Sequence, residues 1–213
     1  GRSVLLYNSE TRARNPLSAV EFENTTGLTL EGGPVTVIDG DTYAGEAMIE
    51  TIKPAQVQLI PYSVELAVLV DDRTDSRTDR VHRTRVTRGV LWTYSMEQRR
   101  TVYTIANKSG RERVLYLEHR KNDGWDLVDT AKPHETTSNF YRFRIELAAT
   151  GTSEFAVVER REIANTFGLI NVSSEVVADY RSAKYIDDRV RDSLEKVIAL
   201  KDRVAQIDAE LAG

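Results

Sequence analysis

The sequence contains no cysteine, which excludes disulfide staples, thiolate metal sites and a cysteine nucleophile together. The redox compartment stays open, because a disulfide-free chain can live in the cytosol or outside it. Histidine is scarce: His82, His119 and His134 stand far apart in the sequence, and no two are spaced as a metal pair. No apolar run approaches the roughly 18 residues needed to cross a bilayer, so the sequence offers no transmembrane segment. Also missing are a phosphate-cradling glycine loop, a nucleophile elbow and a zinc motif. The net charge of -4 gives no footing for a polyanion binder. The chain opens on Gly1-Arg2-Ser3 without an initiator Met, which reads as an excised boundary and leaves a leader upstream open.

With 213 residues, 40% hydrophobic and 29% charged, the chain has the composition of one or two globular domains with a substantial core. From Val4 to about Val158 the pattern is β. Short runs alternate apolar and polar residues and are punctuated by Gly, Asn and Asp turns. In Phe140 to Leu147, the spacing sends Tyr141, Phe143, Ile145 and Leu147 to a core and Arg142, Arg144 and Glu146 to water. Phe22, Ile105, Leu117 and Val157 are further core candidates. The short connection Ala149 to Ser153 predicts a hairpin between this strand and Phe155–Glu159. Asp39-Gly40-Asp41 and Asn122-Asp123-Gly124-Trp125 read as further hairpin turns.

An internal echo matches Val20-x-Phe22-x-Asn24-x-x-Gly27 with Tyr103-x-Ile105-x-Asn107-x-x-Gly110. It fits either ordinary strand-turn chemistry or two related β-sandwich units. Between the halves, Asp71 to Arg80 has no apolar side chain and reads as a solvated hairpin tip or linker. The expected division is therefore a β-rich unit over 1–70, this polar segment over 71–80, a β-sandwich unit over 81–165, and a C-terminal helix over 172–213. The fold class is mainly β, an antiparallel β-sandwich region followed by a long amphipathic, coiled-coil-like helix.

The helix rests on spacing. Asn171-Val172-Ser173-Ser174-Glu175 supplies a start signal, and Gly and Pro then disappear until Gly213. Ile186, Val190, Val197, Leu200, Val204, Ile207 and Leu211 fall on alternating steps of three and four, a heptad seam with one lapse at Ser193. These residues are the candidate self-association face. The partner is a second copy, a dimer first, or another helix; packing on the protein's own sheet is the competing use. Because the seam still runs where the chain stops, the helix is expected to continue further.

Other constellations are weaker. His119 with Glu118 and Asp123 is the best catalytic candidate, but neighbouring strand residues point to opposite faces, and loop or solvent positions are the plainer expectation for all three histidines. Asp39, Asp41 and Glu46 crowd a turn without completing a calcium loop. Arg83, Arg85 and Arg88 near Trp92 make a basic stretch, which Asp71, Asp72, Asp75 and Asp79 are placed to neutralise; a solvated strand edge explains it better than nucleic acid. Trp92 and Trp125 suit core packing or, if exposed, stacking on a sugar. No cofactor or metal is expected.

Three stretches together resemble a family: Glu23 to Val37 with its Gly32-Gly33-Pro34-Val35 core, Tyr43-Ala44-Gly45-Glu46-Ala47, and Ile52-Lys53-Pro54 followed by Leu59-Ile60-Pro61-Tyr62. They look like the C-terminal domain of the bacterial mucoidy-inhibitor-like family, domain of unknown function 4139. The resemblance covers about residues 1 to 165. It implies a bacterial protein, in cytoplasm or cell envelope, that pairs a β-rich domain with coiled-coil helices and has no established activity. Here the helix follows the β region, whereas the family often places it before. The combined expectation is a non-catalytic structural or interaction module. A carbohydrate or cell-surface ligand binder and a hydrolase with a His/carboxylate site are the alternatives.

Overall fold

The computed structural model describes residues 1–169, 172, 175 and 188–212. Twelve strands carry the chain from Arg2 to Gly168, and the C-terminal helix α1 spans Asp188–Ala212. The protein is mainly β. Three sheets form: β10-β11-β8-β1-β2-β5, β6-β7-β12-β9, and the hairpin β3-β4. Their strands are β1 (Arg2–Asn8), β2 (Leu17–Glu23), β3 (Gly33–Asp39), β4 (Thr42–Ile49), β5 (Val57–Val64), β6 (Val68–Thr87), β7 (Val90–Asn107), β8 (Arg113–Arg120), β9 (Asp126–Val128), β10 (Glu135–Thr136), β11 (Phe140–Leu147) and β12 (Thr152–Gly168). Most strand pairs in the six-stranded sheet are antiparallel, but β1 lies parallel to β8, with Leu5 opposite Leu115 and Tyr7 opposite Leu117.

Two compact units divide the chain, and neither is a single sequence segment. The first comprises Gly1–Asp75 and Arg100–Val158; the second comprises Ser76–Arg99 and Glu159–Gly213. This differs from the division expected at residues 70 and 80, for a topological reason. The parallel β1–β8 pair ties the first residues to residues beyond 112, so no cut near 70 separates anything.

The first unit's core gathers Leu5 and Tyr7 from β1, Val68 and Val70 from β6, Tyr103 and Ile105 from β7, Leu115 and Leu117 from β8, Phe143 and Leu147 from β11, and Val157 from β12. The inward half of the β11 alternation falls as its spacing predicts, whereas Arg142 and Arg144, expected in water, are half-buried, Arg142 against Glu118. Phe143 and Leu147 are buried, Tyr141 and Ile145 pack against the core, and Glu146 is exposed. Phe22 is only half-buried. One expected hairpin is absent: β11 and β12 belong to different sheets, so Ala148 to Gly151 crosses between sheets, and the Phe143 and Phe155 rings meet 4.8 Å apart. A short connection between two alternating strands suits a crossover as well as a hairpin, because both bury the same set of side chains. For the same reason Asn122 to Trp125 turns the chain out of the β8 sheet toward β9 in the other. The Asp39-Gly40-Asp41 hairpin does form, with Asp39 opposite Thr42 and Gly40 at φ 62°.

Gly45 shows why the Tyr43-Ala44-Gly45 motif needs its glycine. At φ 153° a Cβ here would stand 2.9 Å from the Tyr62 carbonyl oxygen, closer than real Cβ contacts come.

The internal echo is a shared hydrogen-bond device. The Asn24 amide donates to the carbonyls of Leu28 at 2.8 Å and Ile52 at 2.9 Å, while its oxygen accepts from Thr26 N at 3.1 Å and Thr26 Oγ1 at 2.6 Å. Asn107 does the same with Arg111 at 2.8 Å, Ala148 at 2.9 Å, Ser109 N at 3.0 Å and Ser109 Oγ at 2.6 Å. Both asparagines are buried, so each amide closes a strand end without leaving a donor unpaired.

The polar run Asp71 to Arg80 lies inside β6 and is exposed along its whole length. Solvation is as expected; the hairpin tip is not. The chain reverses at Arg88-Gly89, where φ values of 51° and 78° make the two-residue turn that matches strand twist. Strand geometry persists through ten polar residues because the pairing with β7 supplies it. Thr74 and Thr101 hydroxyls meet at 3.0 Å, and both belong to the first unit.

Candidate self-association face

Helix α1 contains neither Gly nor Pro and is rich in Ala, Leu, Glu, Lys and Arg, which lose little side-chain freedom in a helix. What it does is decided by which of its apolar residues find cover. Val190 is 8% and Leu194 1% exposed, and with Val197 and Ile198 they pack against Leu91, Leu169, Val172 and Val86. Leu200 is 65%, Val204 56%, Ile207 47% and Leu211 81% exposed. All of these belong to the second unit.

The seam expected as one line therefore splits into two stripes. Residues 190, 194 and 197 serve the protein's own core, whereas 200, 204, 207 and 211 follow their own steps of four, three and four. At 3.6 residues per turn the second stripe is rotated by roughly 80° from the first. Val190 is thus removed from the candidate face, half-buried Val197 is shared between the core and the groove beside that face, Leu200, Val204, Ile207 and Leu211 remain on it, and Ile186 lies outside the described residues. A signal for the split exists in the sequence itself, in Leu194 and Ile198, which extend the first stripe at helical rather than heptad spacing. Beside the exposed stripe runs an apolar groove of about 590 Å³ lined by Gly89, Leu169, Val197, Leu200, Lys201 and Val204 among others. The Lys201 ammonium donates to the Val172 carbonyl at 3.2 Å.

The other candidates are dispersed. His119 is buried, contrary to the loop or solvent position expected, with its Nδ1 2.7 Å from the Tyr103 hydroxyl. Alternation puts Glu118 on the opposite face, where it accepts from Arg142 at 2.6 Å and from Asn8 at 3.0 Å. His134 lies against the Tyr116 ring at 5.4 Å, and His82 is 3.1 Å from Glu162. Among the described residues no group of three or more His, Asp or Glu side chains could hold a metal ion, Asp39, Asp41 and Glu46 included.

The arginines find partners other than those expected. Arg83 pairs with Glu162 at 2.8 Å and lies 3.8 Å over the Tyr94 ring, and Arg85 donates to Thr87. Asp71, Asp75 and Asp79 pair instead with Arg14, Arg73 and Arg77. Arg88 forms the turn beside Gly89. Trp92 is 37% exposed rather than in the core. Trp125 is half-buried and, with Tyr141, Asn122, Asp123, Asn139 and Lys121, borders a polar cleft of about 510 Å³ in the first unit.

Among the described residues no helix is long and apolar enough to cross a membrane. No protein-family model, no curated protein and no solved structure matches the chain.

Proposed function

We propose that the protein is a non-catalytic structural or interaction module that self-associates through α1. A β-sandwich region displays its surfaces, as the mucoidy-inhibitor-like resemblance implies. One observation carries the reading. The same helix buries one apolar stripe and leaves the other, Leu200 to Leu211, in water, although covering four such residues is worth several kcal/mol. A helix with a spare apolar stripe is a surface in want of a partner. Sedimentation of the wild-type chain and of a Val204→Asp, Ile207→Asp variant tests it. The wild type should be dimeric at high micromolar concentration and the variant monomeric with unchanged circular dichroism. A wild type that stays monomeric throughout defeats the reading.

A second reading, carbohydrate binding, is favoured by the cleft at Trp125. An indole and a phenol there stand beside amide, carboxylate and ammonium groups, the combination that stacks on and hydrogen-bonds a sugar. Titrating oligosaccharides against the fluorescence of a Trp92→Phe variant isolates Trp125. A flat signal across neutral, acidic and amino sugars ends this reading.

A further inference from the structure

We infer that the partner is a second copy of this chain lying antiparallel on α1, with a two-fold axis between positions 205 and 206. This inference rests on the self-association reading and adds the direction and register of the pair.

The charges flanking the exposed stripe decide it. With Val204 and Leu211 at heptad positions a and Leu200 and Ile207 at d, the flanking e positions hold Lys201 and Asp208, and the g positions hold Lys196, Arg203 and Glu210. In an antiparallel pair, e faces e and g faces g. Stacking Leu200 on the partner's Leu211 and Val204 on the partner's Ile207 places Lys201 beside the partner's Asp208 and Arg203 beside the partner's Glu210. The two-fold axis repeats both, so every flanking pair in this register is attractive. Sliding one copy by a heptad in either direction sets like residues opposite each other: Lys201 meets the partner's Lys201, or Asp208 meets the partner's Asp208. A parallel pair sets g against the following e, which places Lys196 beside the partner's Lys201 in repulsion. Only Arg203 with the partner's Asp208 is then favourable. One arrangement alone satisfies both the apolar layers and the flanking charges.

The groove agrees with this arrangement. The antiparallel register carries the partner's C-terminal turn, with its Leu211, to Leu200. There Gly89, Leu169 and Val197 border open apolar space. Lys201 is already tethered there by its bond to the Val172 carbonyl and keeps two further donors for the partner's Asp208. Toward Val190 the helix is covered by its own core, which limits the seam to these four layers.

Because the chain has no cysteine, introduced thiols report the pairing without background. In the antiparallel dimer the two copies of position 200 are separated by eleven helical residues, about 16 Å, well beyond disulfide reach. Leu200→Cys alone and Leu211→Cys alone should therefore remain uncrosslinked on mild oxidation, while a mixture of the two gives a covalent dimer. Arg203→Glu should weaken dimerisation by roughly tenfold, since each dimer gains two repulsive pairs. Adding Glu210→Arg to the same chain should restore it. Both side chains are exposed on the helix, so folding is unaffected. A parallel dimer gives the opposite results: each single cysteine crosslinks to itself, and the reciprocal charge change fails to rescue because the new carboxylate at position 203 still faces the partner's Asp208. That outcome overturns the antiparallel assignment and leaves self-association standing. A chain that is monomeric at every concentration, with no crosslink in any combination, overturns both.

Discussion

The carboxylate of Glu159 lies 2.6 Å from Nη2 and 3.0 Å from Nε of Arg99. The two ends of this pair are unequal, since the Glu159 side chain is 1% exposed and that of Arg99 25%. Removing the arginine takes a bidentate counter-charge from a carboxylate that cannot reach water, whereas removing the carboxylate takes a partner from a guanidinium already at the edge of solvent. Arg99→Ala should cost about 3 to 5 kcal/mol, and Glu159→Gln about 1 to 2 kcal/mol. Urea unfolding of both variants checks the ordering.

Phe143 is buried in the first unit's core and touches Phe155, while Phe22 is half-buried. Phe143→Ala should destabilise by about 3 to 5 kcal/mol and Phe22→Ala by markedly less, because solvent already covers part of the Phe22 ring. Thermal melts that put the two losses level would disprove the assigned difference in packing.

The asparagine device makes a paired prediction. Asn24→Asp and Asn107→Asp preserve size but replace the amide donor with a carboxylate oxygen, so the carbonyls of Leu28 and Ile52, or of Arg111 and Ala148, each lose the shorter or more buried of their two hydrogen bonds and face a negative charge instead. Each change should cost about 2 to 4 kcal/mol, and the two losses should be similar. Hydrogen exchange should show opening at the affected strand end first. A neutral result at either site would mean that water replaces the amide.

Alkaline pH tests two phenols. Burial, reinforced by the charges of Asp72 and Asp71, pushes Tyr7 up to about 12. Burial, with the bond donated to Glu21, pushes Tyr116 to about 12 as well. Both stay protonated in the folded chain at pH values where an unfolded tyrosine, near pKa 10, has ionised. Stability is therefore full below pH 10 and falls as pH rises from about 10 through 12. Melting temperatures across that window should drop steeply for the wild type. A Tyr7→Phe, Tyr116→Phe variant, started from its own lower baseline, should show a flatter profile.

Local patterns were legible in the sequence; pairings between distant segments were not. Phe143 and Leu147 declare their face by alternation, and Asp39-Gly40-Asp41 declares its turn by the backbone freedom of glycine. Asp71 to Arg80 hides its strand, because propensity measures how well a side chain fits a half-buried surface and this stretch has only exposed positions. The true tip, Arg88-Gly89, carries an arginine where Asn or Asp gives the usual signal. His119 looks polar in sequence and is buried in the structure because Tyr103 supplies its partner. On α1 the seven-residue and 3.6-residue periods coincide for two turns and then diverge. One seam in the sequence thus becomes two faces on the helix.

The parallel pairing of β1 with β8 also sets a timetable. Val4, Leu5 and Tyr7 are synthesised well before Leu115 and Leu117 and are fully buried in the finished protein, yet the strand that covers one flank of β1 runs from Arg113 to Arg120. Until the ribosome has delivered that segment, an apolar strand waits with an open edge. Contacts this distant along the chain make folding slow, and the waiting strand is one that a holding chaperone would recognise during translation.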